Sequence, residues 1–171
     1  MDGKAGPVYE GIGGSFPPDA NTGPASVGVT FSPDGRKLAY LASKGDKKFV
    51  VVDGKPEEVG IDSLVGQMLF SPDSKRLAYG GRRANRFFLV ADGTKGTEYD
   101  ALGHFEFSHD GTHLALVAKK ANRFVITVDG TERAEYHTVA AGPVFRRDGT
   151  LEFLAADDKS VYRIEVKNLP H

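Results

Sequence analysis

The chain has 171 residues, 40% hydrophobic and 26% charged, with a formal net charge of −1 and no cysteine. That length allows one domain with a sizeable core. Near-neutrality excludes a molecule that as a whole attracts nucleic acid, and the missing cysteines exclude disulfides, thiolate metal sites and a cysteine nucleophile.

From the N-terminus, Met1-Asp2-Gly3-Lys4 is followed by no apolar stretch, so no leader is expected there. No apolar run approaches the roughly 20 residues that a membrane helix needs. A soluble protein is expected, cytoplasmic, or periplasmic or secreted if a leader has been removed. Asp2–Ile12 (DGKAGPVYEGI) matches Asp92–Leu102 (DGTKGTEYDAL) and reads as a turn followed by an outer strand. Gly13–Gly28 (GGSFPPDANTGPASVG) is too rich in Pro and Gly for a helix. It is an insertion, because Asp2 lies 29 positions before Phe31, against 17, 15 and 16 for the other Asp-Gly-to-Phe intervals. Long loops on a rigid scaffold often carry binding function. Phe16, before Pro17 and Pro18, is its expected anchor, and a plain linker is the competing reading.

The phrase FSPDGRKLAY at Phe31–Tyr40 then recurs as FSPDSKRLAY at Phe70–Tyr79, FSHDGTHLAL at Phe107–Leu116 and FRRDGTLEFL at Phe145–Leu154. The leading Phe residues are 39, 37 and 38 positions apart, a period that marks a repeat architecture. In the second copy a short apolar strand closes at Ser71-Pro72-Asp73-Ser74, where Pro and Asp set the turn. Arg76–Gly80 is a second strand and Arg86–Val90 a third, rich in residues that suit a pleated surface. Asp92-Gly93 is a hairpin dipeptide, and Thr97–Asp100 is a polar strand suited to an outer edge. Four strands in one such period make one blade of a β-propeller.

The expectation is one all-β domain over residues 1–171: a β-propeller of four blades, each of four antiparallel strands. Blades 1–3 are placed at 29–66, 67–103 and 104–141, and blade 4 at 142–168. The last lacks a fourth strand, which residues 1–12 are expected to supply as a closing outer strand. The alternative is part of a larger ring or of a dimeric, eight-bladed one.

The FSPDG phrase, with its following apolar strand and Asp-Gly turn, resembles the WD40-like (PD40-type) repeats of TolB-like bacterial propellers. The resemblance covers about Val27 to Val166 and the N-terminal strand. It implies the fold and not a function, since the family includes translocation partners, peptidase gating domains and many proteins without a described role. The chain departs from it at His109, where Pro is usual, at Arg146-Arg147, and in having no Trp. It carries over no catalytic residue.

Asp34, Asp73, Asp110 and Asp148 read as turn formers satisfied by nearby amides, and a carboxylate ring for a cation is the competing reading. Asp53, Asp92 and Asp129 precede Gly at hairpin turns. His104, His109 and His113 lie close in sequence, but a tight hairpin points such side chains apart, so no metal site and no cofactor are expected. No G-x-S-x-G and no phosphate loop is present.

The connections between second and third strands are basic. They read Ser43–Lys48, Arg82–Arg86 and Lys119–Arg123, aligning Lys44 with Arg82 and Lys119, and Lys48 with Arg86 and Arg123. One end of the propeller then gathers Lys44, Lys47, Lys48, Arg82, Arg83, Arg86, Lys119, Lys120 and Arg123, against Asp46 alone in these three loops. The insertion is expected at that same end. Either this is a solvated loop set or an anion-docking surface. No aromatics are interleaved for base stacking, so the expected partner is another protein rather than nucleic acid, and the chain is a monomer or a homodimer by blade sharing. The favoured function is a non-enzymatic protein-interaction scaffold. A small-ligand or glycan binder is the alternative, and a hydrolase using two carboxylates from neighbouring blades ranks below both.

Overall fold

Alternating apolar residues flanked by Asp-Gly and basic turns pair into a series of antiparallel hairpins. A computed structural model describes residues 8–12, 28–157, 159–167 and 169. The first sheet holds β1 (Gly11–Ile12), β2 (Val29–Phe31), β3 (Leu38–Lys44), β4 (Lys47–Val52) and β5 (Lys55–Val59). The second holds β6 (Ser63–Phe70), β7 (Leu77–Arg83), β8 (Arg86–Ala91) and β9 (Thr94–Tyr99). The third holds β10 (Ala101–Phe107), β11 (Leu114–Lys120), β12 (Arg123–Val128) and β13 (Thr131–Tyr136). The fourth holds β14 (Thr138–Phe145), β15 (Leu151–Ala156) and β16 (Val161–Val166). The protein is therefore all-β, with 16 strands in four antiparallel sheets among the described residues.

Two tight turns set each register. The basic connections are two-residue turns whose first residues, Gly45, Ala84 and Ala121, have φ of 57°, 52° and 53°. Positive φ matches the strand twist in such turns. The Asp-Gly turns put Asp53, Asp92 and Asp129 at φ of 50°, 52° and 51°. Asp tolerates that region because its carboxylate bonds locally. One carboxylate oxygen accepts the N–H of Leu38, Leu77 or Leu114 at 3.0, 3.0 and 2.9 Å, tying each turn to the start of β3, β7 or β11.

Strand alternation gives each sheet two faces, and successive sheets bury them against each other. Ala39, Leu41 and Val50 of the first sheet pack on Phe70, Tyr79 and Val90 of the second. Ala78 of the second meets Phe107, Leu114 and Leu116 of the third. Ala115, Val117, Ile126 and Val128 of the third meet Phe145, Leu151 and Phe153 of the fourth.

Three expectations are corrected. First, residues 1–12 are not a closing strand where they are described. Gly11 and Ile12 pair with Ser43 and Ala42 of β3, and Glu10 N–H donates to Ser43 O at 3.0 Å. Ser63 and Leu64 pair with Arg82 and Gly81 in the repeat-equivalent register. The matched segments Asp2–Ile12 and Asp92–Leu102 straddle a boundary: in the second copy β9 ends at Tyr99 and the next inner strand begins at Ala101. Residues 1–7 lie outside the described residues, and among those described β16 pairs with β15 alone.

Second, the inner strands start earlier than the apolar phrase suggested. β6 begins at Ser63 and β10 at Ala101, because bulges between Val65 and Met68 and between Leu102 and Phe105 interrupt the apolar pattern. Third, the insertion does not leave from the basic turns. Ile12 pairs with Ala42 and Val29 with Tyr40, so β1 and β2 are two halves of one inner strand. The insertion starts where the other three sheets carry their bulges. Residues 13–27, with Phe16, lie outside the described residues.

The basic turns yield a test with an internal control. An L-residue in the left-handed region costs roughly 1–2 kcal/mol, and glycine offsets part of that through unfolded-chain entropy. Ala84→Gly and Ala121→Gly should each raise stability by about 0.5–1 kcal/mol. Gly45→Ala, which meets open space, should lower it by a similar amount. Urea midpoints at unchanged slope measure this; a glycine variant that loses stability would contradict the turn geometry.

Candidate functional site

The paired strand register redraws the alignment of the basic residues. Lys44 faces Lys47, Arg83 faces Arg86 and Lys120 faces Arg123, each pair flanking a two-residue turn. The repeat-matched sets are therefore Lys44, Arg83, Lys120 and Lys47, Arg86, Arg123. Several residues expected in the loops, Arg82, Arg83, Lys119 and Lys120 among them, belong to strands, which shifts the alignment. Arg82 and Lys119 lie one position inside, half-buried and opposite Phe87 and Phe124. Lys48 is likewise half-buried, opposite Ser43.

These cations stand among more carboxylates than the loops alone contain. Lys47 Nζ lies 2.8 Å from Glu58. Arg86 bonds Asp100 and lies 3.8 Å from Glu98, and Lys120 Nζ lies 3.0 Å from Glu132. The Glu132 hydrogen bond raises the pKa of Lys120, and the Lys95 hydrogen bond lowers that of Glu98. Arg123 approaches His137 at 3.0 Å, and Lys119 lies 5.9 Å from the centre of the Phe124 ring. Asp46 is alone among the acids within the three loops, and Glu58, Glu98, Asp100 and Glu132 reach the cations from outside them.

A further carboxylate set, absent from the sequence-based expectations, ties these turns down. Glu10, Asp62 and Asp100 each precede an inner strand and accept the first amide of a basic turn: Gly45 N–H at 2.9 Å, Ala84 N–H at 2.6 Å and Ala121 N–H at 2.6 Å. The signal was present in Tyr9-Glu10 and Tyr99-Asp100, which align in the sequence. Charge-assisted bonds of this kind satisfy amides that the hairpins leave unpaired.

The opposite end is a set of interlocked turns. Ser32, Ser71 and Ser108 donate to Asp34, Asp73 and Asp110, each at 2.6 Å. Those carboxylates also accept the N–H of Arg36, Lys75 and Thr112. The hydroxyl bond is the leading cause that holds all three below the ordinary aspartate value, most strongly at Asp110. Asp148 is lowered chiefly by the Thr150 N–H, with Arg146 standing where the other copies have Ser. Between sheets, Lys37 Nζ reaches Ser74 O at 2.8 Å and Arg76 reaches Thr112 O at 2.6 Å.

The histidines do not converge. His113 is buried and bonds Asp129 at 2.7 Å, His104 faces Glu106 at 3.4 Å, and His109 is exposed. Among the described residues no group of three or more His, Asp or Glu is arranged to hold a metal ion. Two clefts open between sheets at repeat-equivalent places. One of about 240 Å³ is lined by Lys37, Val50, Tyr79 and Asp92, and one of about 220 Å³ by Arg76, Leu89, Leu116 and Asp129. Among the described residues no helix is long and apolar enough to cross a membrane.

No family model and no curated protein matches the chain. Solved structures similar to it include TolB and a propeller domain of a protease. TolB from Acinetobacter baumannii is 16% identical with a TM-score of 0.43, over 87% of this chain and 47% of that one. A TolB-type protein from Agrobacterium tumefaciens is 19% identical with a TM-score of 0.44, over 81% and 56%. The β-propeller domain of the Trilobed protease from Pyrococcus furiosus is 12% identical with a TM-score of 0.47, over 76% and 54%. The chain spans about half the length of these proteins. With TM-scores below 0.5 they carry nothing about substrate or partner, and the blades rest on the strand pairing within this chain.

The lowered aspartates give a pH dependence of fixed sign. In the unfolded chain they titrate near 3.8. Their stabilising contribution is fully present above that value and is lost as pH falls through the depressed folded values. Urea midpoints should therefore fall steadily below about pH 4.5. Asp110→Asn should lower stability at neutral pH and flatten the acid limb; an acid limb as steep as that of the parent protein would contradict the assignment.

Proposed function

We propose that this chain is a non-enzymatic β-propeller scaffold that holds an acidic, extended segment of another protein along the basic-turn end of its blades. The observation that carries this reading is the recurrence of the cation pairs Lys44/Lys47, Arg83/Arg86 and Lys120/Arg123 at the same turn of three successive sheets. A linear partner with regularly placed carboxylates matches a periodic row of cations. The existing acid partners do not prevent this. Lys47 and Glu58 are each more than half exposed, and such pairs contribute little to stability. Exchange for a partner's carboxylates therefore costs little desolvation. The row ends at the fourth sheet, whose turn carries Asp157 and Lys159. Asp157 spends its carboxylate on the Lys159 and Ser160 amides and on Tyr162. Docking is thus polarised toward the first three sheets.

A second reading rests on the two repeat-equivalent clefts. Each combines apolar walls with charged groups of both signs, Lys37, Lys75, Glu57 and Asp92 in one and Arg76 and Asp129 in the other, which suits a small polar ligand or a sugar. A ligand bound only by the folded state would raise the melting temperature.

The docking reading is tested with a fluorescent poly-glutamate peptide. Binding should weaken with salt, and Arg83→Glu combined with Lys120→Glu, both at exposed positions, should lower affinity by about tenfold or more. Affinity that is unchanged in the double variant removes this surface.

A further inference from the structure

Three of the four sheets bury the face that looks back toward the preceding sheet, and the first does so only in part: Ala42 and Val51 are 1% and 0% exposed and the Tyr9 ring lies 6.4 and 6.1 Å from those of Tyr40 and Phe49, while other positions on the face stay open. Phe70, Phe107 and Phe145 open the repeat phrase in sheets two to four and are 5%, 3% and 2% exposed, whereas the equivalent Phe31 is 66% exposed. Ile12 is 63% exposed where Leu64 is 2%, and Val29 is 38% where Met68 is 3%. Tyr40 is half-buried where Tyr79 is buried. The first sheet thus exposes Ile12, Val29 and Phe31, residue types that its neighbours use in an inter-sheet interface.

The chain also shows what covers such a face elsewhere: the forward face of the sheet before, made of Ala39, Leu41 and Val50 in one case and Ala115, Val117 and Ile126 in another. The fourth sheet cannot supply this cover. On its forward face Glu152 stands at the repeat position of Ala115, Arg163 at that of Ile126 and Glu165 at that of Val128. These form one ion cluster in which Glu152 takes Arg146 and Arg163, and Glu165 lies 3.1 Å from Arg146. Laying Phe31 and Tyr40 over this cluster would strip water from several charges, a loss that their mutual attraction only partly offsets. Head-to-tail contact, within one chain or between two, is disfavoured for the same reason. One end of the array exposes Ile12, Val29 and Phe31, and the other carries the ion cluster beside exposed Val144 and Val161.

We propose that the apolar face of the first sheet is a docking surface for a second copy of this chain, which meets it with the same face about a two-fold axis. Its own apolar face is the complementary surface that a second copy offers, and self-complementary contact is what a two-fold dimer requires. The dimer buries Ile12, Val29, Phe31 and Tyr40 from both copies. It leaves the ion clusters of both fourth sheets in water, so the blades of two chains form one continuous stack. This differs from blade sharing, since no strand changes chains.

Light scattering on the full chain across a concentration series tests this. The parent protein should reach twice the monomer mass of 18.4 kDa. Phe31→Asp, which alters an exposed position and so spares the core, should weaken the dimer by about a hundredfold or more. Val29→Asp should do likewise, and Val161→Asp on the fourth sheet should leave it intact. A parent protein that stays monomeric would show that another part of the chain or a different partner covers the face, and would overturn the proposal. So would a dimer that survives both Phe31→Asp and Val29→Asp, or one dissolved by Val161→Asp. Mass reads this surface alone, and peptide binding at the basic turns is measured separately.

Discussion

A blade with two apolar faces is stable only between two neighbours. Period-2 alternation places Ala39, Leu41 and Val50 on one side of the first sheet and Phe31, Tyr40 and Phe49 on the other. Neither side is polar enough to stand in water. The sheet order follows from this constraint: each blade is fixed by the one before and fixes the one after. The protein meets the constraint differently at its two ends. The fourth sheet carries the ion cluster of Glu152, Arg163, Glu165 and Arg146 on its outer face, beside exposed Val144 and Val161. The first sheet keeps the apolar residues of an internal blade.

The two ends of each blade divide the work. The Ser-Asp turns knit neighbouring sheets, with Lys37 and Arg76 reaching the next turn's backbone and the serine hydroxyls holding the aspartates ionised. The basic turns are tied inward by Glu10, Asp62 and Asp100, which leaves Lys44, Arg83 and Lys120 exposed. One end consolidates the stack and the other presents charge to solvent.

The repeat phrase made the four sheets, the Asp-Gly hairpins and the turn aspartates legible, because each depends on residues within one period. What stayed hidden depends on pairing across strands. The alignment of Lys44 with Arg82 followed from counting letters; the register of β7 with β8 replaces Arg82 with Arg83. The match of Asp2–Ile12 to Asp92–Leu102 was sound, yet it spans an outer strand's end and an inner strand's start, and composition does not mark that boundary. The acids around the basic turns escaped notice because Glu58, Glu98 and Glu132 are remote in sequence from the cations they meet. The charged forward face of the fourth sheet was equally out of view, since Glu152, Arg163 and Glu165 join one face only once β15 and β16 are paired.

The bulge in each inner strand has a consequence for how such a chain gains new sequence. A ladder tolerates extra residues only where it is already interrupted, and the first sheet admits its long segment at that interruption while keeping both halves in register with β3. Gly66-Gln67 and Gly103-His104 mark the same doorway in the next two sheets. Foreign segments grafted there would line up along the first strands of successive sheets, without touching the hairpins that hold the stack together.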